Sequence, residues 1–241
     1  CYHRTITLSD DWLAKEQVRV VFDGVDSAFY LWCNESWVGY SQDSRLPAEF
    51  DLTAYLRPGE NSLKLVVFRY CDGSYLEDQD MWNLSGIFRS VSLLRKPQAR
   101  ITDFRVTASL DDQYVDGLLD VQVVTEDAED CQIALSLYDA NDFSRPVMTM
   151  TPQGFGARQI DEKGAYANRC EIAQSIASPQ AWSAEQPALY RLTVSLVNGD
   201  GQLVEAEACD VGFRRVETIA GQLCVNGQPL LIRGVNKHEH D

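Results

Sequence analysis

Residues 18–23, Val18-Arg19-Val20-Val21-Phe22-Asp23, decide the fold class. Val18, Val20 and Phe22 fall on one side of an extended chain, and Arg19, Val21 and Asp23 on the other. A period of two lays one face of a strand on a core and leaves the other to solvent. The alternation returns in Leu63, Leu65 and Val67 against Lys64, Val66 and Phe68. Turn chemistry separates such stretches at Asp23-Gly24, Asn34-Glu35-Ser36, Pro58-Gly59 and Asp72-Gly73. Residues 1–97 are therefore expected to form one antiparallel β-sandwich. Trp12, Trp32, Trp37 and Trp82 all lie within it, and such aromatics serve either as core or as a surface on which a sugar ring stacks.

Arg95-Lys96-Pro97 interrupts the alternation and predicts a domain boundary. Beyond it, Ile101–Leu110, Leu118–Thr125, Ile133–Tyr138 and a hairpin over Leu192–Cys209 turning at Asn198-Gly199-Asp200-Gly201 supply strands at sandwich spacing. Residues 98–214 thus predict an immunoglobulin-like β-sandwich with 154–164 as an internal loop. From about Arg215 the pattern changes to Leu223-Cys224-Val225, a turn at Asn226-Gly227-Gln228-Pro229, and the uniformly apolar Leu230-Leu231-Ile232. A short run of that kind predicts a strand buried on both faces, as in a parallel sheet. Residues 215–241 are expected to open a third, α/β domain. Tyr2 to Leu8 already alternate behind Cys1, so further chain before residue 1 is expected.

The formal net charge of −15, from 36 acidic against 21 basic residues, repels a phosphate backbone or an anionic membrane surface. No stretch approaches the roughly 20 apolar residues that span a bilayer. The expectation is a soluble, cytoplasmic protein that binds neither nucleic acid nor membrane. Seven cysteines are scattered singly with no CxxC pair, which predicts reduced, half-buried thiols rather than a zinc site or disulfide framework.

Three polar clusters carry candidate chemistry. In Asn236-Lys237-His238-Glu239-His240 a continued strand would bring His238 and His240 to one side, where two imidazoles converge on a ligand, unless this is an ordinary polar loop. The carboxyl end of a buried parallel strand is where barrel enzymes place catalytic groups. In Asp72-Gly73-Ser74-Tyr75-Leu76-Glu77-Asp78-Gln79-Asp80-Met81-Trp82 four carboxylates crowd beside two aromatics. Either solvent or a cation offsets their repulsion; Glu77, Asp78 and Asp80 are candidate hard-cation ligands, and Tyr75 and Trp82 candidate sugar flanks. In Ser41-Gln42-Asp43-Ser44-Arg45, an Asp43 to Arg45 pairing is expected to fix a corner.

The strings FDGVDSAFYLWCN, WVGYSQDSRLPAEFDLTAYLRPGEN, DGSYLEDQDMWNLSGIFRSVSLLRKP, EACDVGFR and PLLIRGVNKHEH resemble the large bacterial β-galactosidases of glycoside hydrolase family 2. The similarity is weakest over residues 105–160. SGIFR alone points only to the wider family, whereas the whole DGSYLEDQDMW loop follows the galactosidase version. The resemblance implies an all-β fragment: a jelly-roll-like sandwich, an immunoglobulin-like sandwich, and the first strand of a truncated (β/α)₈ barrel. It implies that Asp80 contacts the galactosyl 6-hydroxyl and a sodium ion, and that His238 grips the sugar ring more tightly at the oxocarbenium-like state. It also implies that Gln42 and Asp72 help hold a magnesium ion away from the chemistry. The implied substrate is a β-galactoside such as lactose, and the implied whole enzyme is a homo-oligomer, a tetramer. Lys237 stands where arginine is commoner. Retaining glycosidases use two carboxyl groups roughly 5 to 5.5 Å apart; in this family both are glutamates on later barrel strands, so the chain alone is expected to be inactive. Rival readings are a non-catalytic carbohydrate-binding sandwich, a structural immunoglobulin-like tandem, and a β-glucuronidase or β-mannosidase of the same family.

Overall fold

The structure, a computed structural model, describes residues 1–13, 16–77, 84–155, 159–160 and 166–236. The chain divides into two compact units, one formed by Cys1–Gln98 with residues 234–236, the other by Ala99–Arg233. Among the described residues every strand pairing is antiparallel.

In the first unit a four-stranded sheet runs in the order Tyr2–Leu8, Gly59–Phe68, Ala28–Cys33, Ser36–Gln42, and a three-stranded sheet in the order Ala48–Asp51, Glu16–Phe22, Val91–Pro97. Val20 and Phe22 from the smaller sheet meet Phe29, Leu31, Cys33, Leu63 and Leu65 from the larger in one core, so the alternation at residues 18–23 points as its period requires. Phe22, Phe29 and the partly buried Phe50 pack with ring centroids 5.0 to 6.4 Å apart, and the full burial of Phe22 and Phe29 contributes about 1.5–3 kcal/mol each relative to exposure. The predicted Asn34-Glu35 turn joins Ala28–Cys33 to Ser36–Gln42 with φ of 48° and 71°, the paired left-handed geometry whose twist suits a two-residue hairpin. Arg95-Lys96-Pro97 does not interrupt its strand. Lys96 and Pro97 pair with Gln17 and Glu16 at the end of an outer strand, where proline's missing N–H is tolerated, and the units divide at Gln98/Ala99.

In the second unit Arg100–Leu110, Gly117–Glu126, Tyr166–Ile176 and Gln159–Ile160 form one sheet and Met148–Thr149, Gln132–Asp139, Tyr190–Val197 and Leu203–Val211 the other, in those orders. This is the immunoglobulin strand arrangement. Leu119, Val121 and Val123 alternate into a core shared with Ile133, Leu135, Leu137, Leu192, Val194, Leu196 and Phe213. The stretch read as a loop, 154–164, contains the short strand Gln159–Ile160.

Residues 216–229 form their own three-stranded sheet, Val216–Ile219, Gln222–Val225 and Gln228–Pro229. The run 230–236 is not a strand. The Leu230 N–H donates to the Leu223 carbonyl at 2.8 Å, but Leu231, Ile232 and Val235 are 75, 70 and 90% exposed. A strand buried on both faces needs neighbours on either edge and face, and none of the described residues supplies them.

Candidate functional site

On Ser36–Gln42 the period of two sets Tyr40 and Gln42 on one face, and the Tyr40 hydroxyl donates to Gln42 Oε1 at 2.6 Å. The central strand Gly59–Phe68 leads into Asp72, whose carboxylate caps its own turn by accepting the Gly73 N–H at 2.9 Å. Partial burial, with the Asp72 carboxylate adding to it, pushes the Tyr40 phenol above its ordinary value, so it remains a neutral donor to Gln42. Of the two residues matched to a magnesium site, Gln42 accepts from Tyr40 and Asp72 stands in the turn after Gly59–Phe68. They are exposed oxygen donors of the hard type that Mg²⁺ accepts while it keeps several waters. The donor chemistry fits such an ion, although among the described residues no group of three or more His, Cys, Asp or Glu side chains is arranged to hold a metal.

Buried serines tether the loop that carries Asp72. The Cys71 N–H donates to Ser74 Oγ at 3.0 Å, Ser74 Oγ lies 2.5 Å from Ser27 Oγ, and Ser27 Oγ donates to the Arg69 carbonyl at 3.1 Å. A consistent proton order runs from Ser74 to Ser27 to Arg69. Beside it the buried Asp26 accepts from Ser44 Oγ at 3.1 Å, and the Asp26 carbonyl accepts from Ser85 Oγ at 3.1 Å. Four segments distant in sequence, at residues 26–27, 44, 69–74 and 85, are thus fixed at one point. The SGIFR string serves the same corner: Gly86 pairs with Asp26, and the Arg45 and Arg89 guanidinium groups each lie 5.0 Å from the Phe88 ring. Asp43 and Arg45 do meet, but through the backbone. Asp43 Oδ1 accepts the N–H groups of Arg45 and Leu46 at 3.2 and 3.3 Å, while the Arg45 head turns to Phe88.

Of the residues singled out in the sequence, the structure bonds Gln42 to Tyr40, places Asp72 in the turn closed on Gly73 and leaves Tyr75 83% exposed. Asp78, Asp80, Trp82, His238, His240 and the Glu77 side chain lie outside the described residues. Tyr40 was open to sequence reasoning, since it shares a strand face with Gln42; the Ser27–Ser74 tether spans 47 positions and has no local signature. The seven cysteines are all free, and burial raises the thiol pKa of Cys33, Cys131, Cys170 and Cys209. Among the described residues no helix is long and apolar enough to cross a membrane.

Comparison with known proteins gives the context of this site. Residues 1–97 match the family model described as glycosyl hydrolases family 2, sugar binding domain, and residues 99–214 the model described as glycosyl hydrolases family 2. The chain is 56% identical over 241 residues to a β-galactosidase of Aeromonas hydrophila subsp. hydrophila and 51% identical over 242 residues to one of Enterobacter cloacae. Each alignment covers 100% of this chain and 23% of the relative, so the chain spans about a quarter of the length of the curated relatives it matches. A solved β-glucuronidase of Ruminococcus gnavus superposes with a TM-score of 0.78 at 19% identity, covering 97% of this chain and 39% of that one, a likeness of fold alone. With both sandwiches matched in order and near-complete coverage by close relatives, the chain belongs to glycoside hydrolase family 2 and is a fragment of a protein of that family.

Proposed function

We propose that the chain is the sugar-positioning part of a retaining β-galactosidase that hydrolyses terminal, non-reducing β-D-galactosides such as lactose. The observation that carries this is 56% identity across all 241 residues with a protein of that name. Asp80 orients the galactosyl 6-hydroxyl and a sodium ion, and His238 tightens on the ring as oxocarbenium character develops. An interaction stronger in the transition state than in the ground state raises kcat. A magnesium ion held by Gln42 and Asp72 supplies charge neutralisation at the Asp72 turn, away from the reacting bond; Tyr40 keeps Gln42 Oε1 in place by donating to it. The buried serines hold the root of the Asp72 loop.

The acid/base and nucleophile carboxyl groups lie on barrel strands outside the chain, and Leu230-Leu231-Ile232 begins that barrel. Its exposure supports the reading, since each large aliphatic left in water forgoes about 1.5–3 kcal/mol of burial. The whole enzyme is a cytoplasmic homotetramer. The test is hydrolysis of nitrophenyl β-galactoside, β-glucuronide and β-mannoside by the longer polypeptide that carries this chain. The expected preference for galactoside is at least about a hundredfold, because buried polar groups matched to one set of hydroxyls reject another; preferential cleavage of glucuronide or mannoside overturns the proposal.

A further inference from the structure

The chain holds two Asn-Gly pairs, Asn198-Gly199 and Asn226-Gly227, both in the second unit and each at the turn of a hairpin. Glycine has no Cβ to shield its nitrogen, so in such a pair that nitrogen can attack the asparagine side-chain carbonyl carbon. The new C–N bond closes a succinimide ring, the proton of the glycine N–H ends on the departing side-chain nitrogen, and ammonia leaves. Water then opens the ring at one of its two carbonyls, giving aspartate or isoaspartate. The chemistry encoded in the sequence is the same at both pairs, so a difference between their rates comes from the fold.

The fold holds them differently. Asn198 bonds only within its own loop: its Oδ1 accepts the N–H groups of Asp200 and Gln202 at 3.1 and 2.8 Å, and its Nδ2 donates to Gln202 Oε1 at 3.3 Å. Gly199 and Asp200 are exposed, and a Cβ at Gly199 would meet nothing nearer than the Asp130 carbonyl at 3.9 Å. Asn226 is held from outside its turn. Its N–H and Oδ1 pair with the carbonyl and N–H of Arg215, both at 2.9 Å, and its Nδ2 donates to the Trp182 carbonyl, on a separate loop of the sandwich, at 3.0 Å. With φ of 50° and 73°, Asn226 and Gly227 form a two-residue turn that is left-handed throughout. The Tyr114 ring lies against it, and a Cβ at Gly227 would come within 2.7 Å of Tyr114 Cε2. That ring is fixed in turn: the Tyr114 hydroxyl donates to Glu217 Oε1 at 2.5 Å, Glu217 Oε2 accepts from Arg215 Nε at 3.2 Å, and Arg215 Nη1 reaches Asp112 Oδ1 at 2.5 Å. Attack at Asn226 therefore needs its amide to leave Arg215 and Trp182 and the turn to leave Tyr114, so its rate is the intrinsic rate multiplied by the fraction of time the turn is open.

We propose that Asn226 is a guarded deamidation site: the contacts with Tyr114, Arg215 and Trp182 keep it from closing on Gly227, and its conversion releases the small sheet 216–229 from the sandwich. The product cannot restore the contacts. A carboxylate at 226 has no hydrogen to offer the Trp182 carbonyl, so two acceptors face each other, and isoaspartate routes the chain through an extra carbon that the pairing of Val225 with Gln228 does not accommodate. The sheet has little else to hold it, since its strands run two to four residues and Val216, Ile219 and Leu223 are exposed, with Cys224 as its buried apolar side chain.

Asn198 supplies the reference within the same molecule. Trypsin cleaves after Arg191, Arg214, Arg215 and Arg233, so peptides 192–214 and 216–233 carry one Asn-Gly pair each. The 241-residue chain is aged in mildly alkaline buffer, and the amide-to-acid mass gain of each peptide is followed with time. In the folded chain peptide 192–214 converts at least about tenfold faster than 216–233, whereas in urea the two rates come within about threefold. Tyr114→Phe accelerates conversion at Asn226 about five- to tenfold and leaves Asn198 unchanged. Equal rates in the folded chain overturn the guard, and so does a difference that persists in urea, because it would then belong to the sequence. A Tyr114→Phe chain in which Asn226 stays as slow as in wild type, or in which Asn198 speeds up equally, also overturns it. Asn226→Asp, which carries the aspartate product, accelerates amide hydrogen exchange over 216–229 by about tenfold with no change over 119–123. Unchanged protection of the small sheet in that variant overturns the release.

Discussion

Asn61 is 1% exposed and uses every arm of its amide. Its Nδ2 donates to the carbonyls of Arg57 and Gly59 at 2.7 and 3.1 Å, and its Oδ1 accepts the Arg57 N–H at 2.9 Å and Asn34 Nδ2 at 2.7 Å. Asn34 in turn donates to the Tyr55 carbonyl at 2.9 Å and accepts the Ser62 N–H at 2.9 Å. Two turns that look independent in the sequence, Asn34-Glu35 and Pro58-Gly59, are one clamp. Asn61→Ala strands several buried donors and acceptors and is expected to destabilise the first unit by about 2–3 kcal/mol in urea denaturation; a loss below about 0.5 kcal/mol would show that the clamp contributes little. Gly86 makes a second residue-scale case. With φ of +129° and the Tyr2 hydroxyl 2.7 Å from where a Cβ would stand, Gly86→Ala meets both backbone strain and a clash. The strain alone costs about 1–3 kcal/mol. Tyr2→Phe removes the clashing oxygen, so the double variant is expected to recover part of the loss but not all of it, measured by the same denaturation midpoints.

At the scale of elements, Ala48–Asp51 is anchored by Asp51. Burial by itself would raise its carboxyl pKa, but hydrogen bonds from the Thr53 hydroxyl and N–H at 2.6 and 2.8 Å, and from Gln17 at 2.6 Å, outweigh it and lower the value below the usual 3.8. A depressed carboxyl stabilises the fold above the unfolded pKa and ceases to as pH falls through the folded one. The stability gap between wild type and Asp51→Asn should therefore be full at pH 7 and shrink below about pH 4, read from urea midpoints; a gap independent of pH would assign the effect to packing.

The strands that declare themselves locally were legible: Val18, Val20 and Phe22 put their apolar face inward, and the Asn34 and Asn198 turns close hairpins. Tyr166–Ile176 escaped because its buried positions include Asn168 and Cys170 beside Ile172 and Ile176, a diluted pattern satisfied by pairing rather than by aliphatic bulk. Arg95–Pro97 does lie at the division between the units, but as the end of a strand rather than a break in one, since proline at the last position of an outer strand disrupts no ladder. Of the site, Gln42 and Asp72 came from resemblance, and only Tyr40 could have been added by period. The serine tether is tertiary and lies beyond local reading.

At the scale of the whole molecule, the chain supplies two sandwiches and an apolar run whose side chains remain in water, alongside relatives about four times its length. With the reacting carboxyl pair assigned elsewhere, the purified 241-residue chain should show no galactoside hydrolysis above a mock preparation. Activity that co-purifies with it and survives removal of host enzymes would place catalytic groups within these residues.

The most direct measurement is a two-by-two comparison in the longer polypeptide, wild type and Asp80→Asn, each with a nitrophenyl β-D-galactoside and its 6-deoxy counterpart. If Asp80 grips the 6-hydroxyl, the variant loses about ten- to a hundredfold in kcat/KM with the galactoside and far less with the 6-deoxy sugar. Equal losses with both sugars, or none with either, would contradict a galactose-positioning role for this chain.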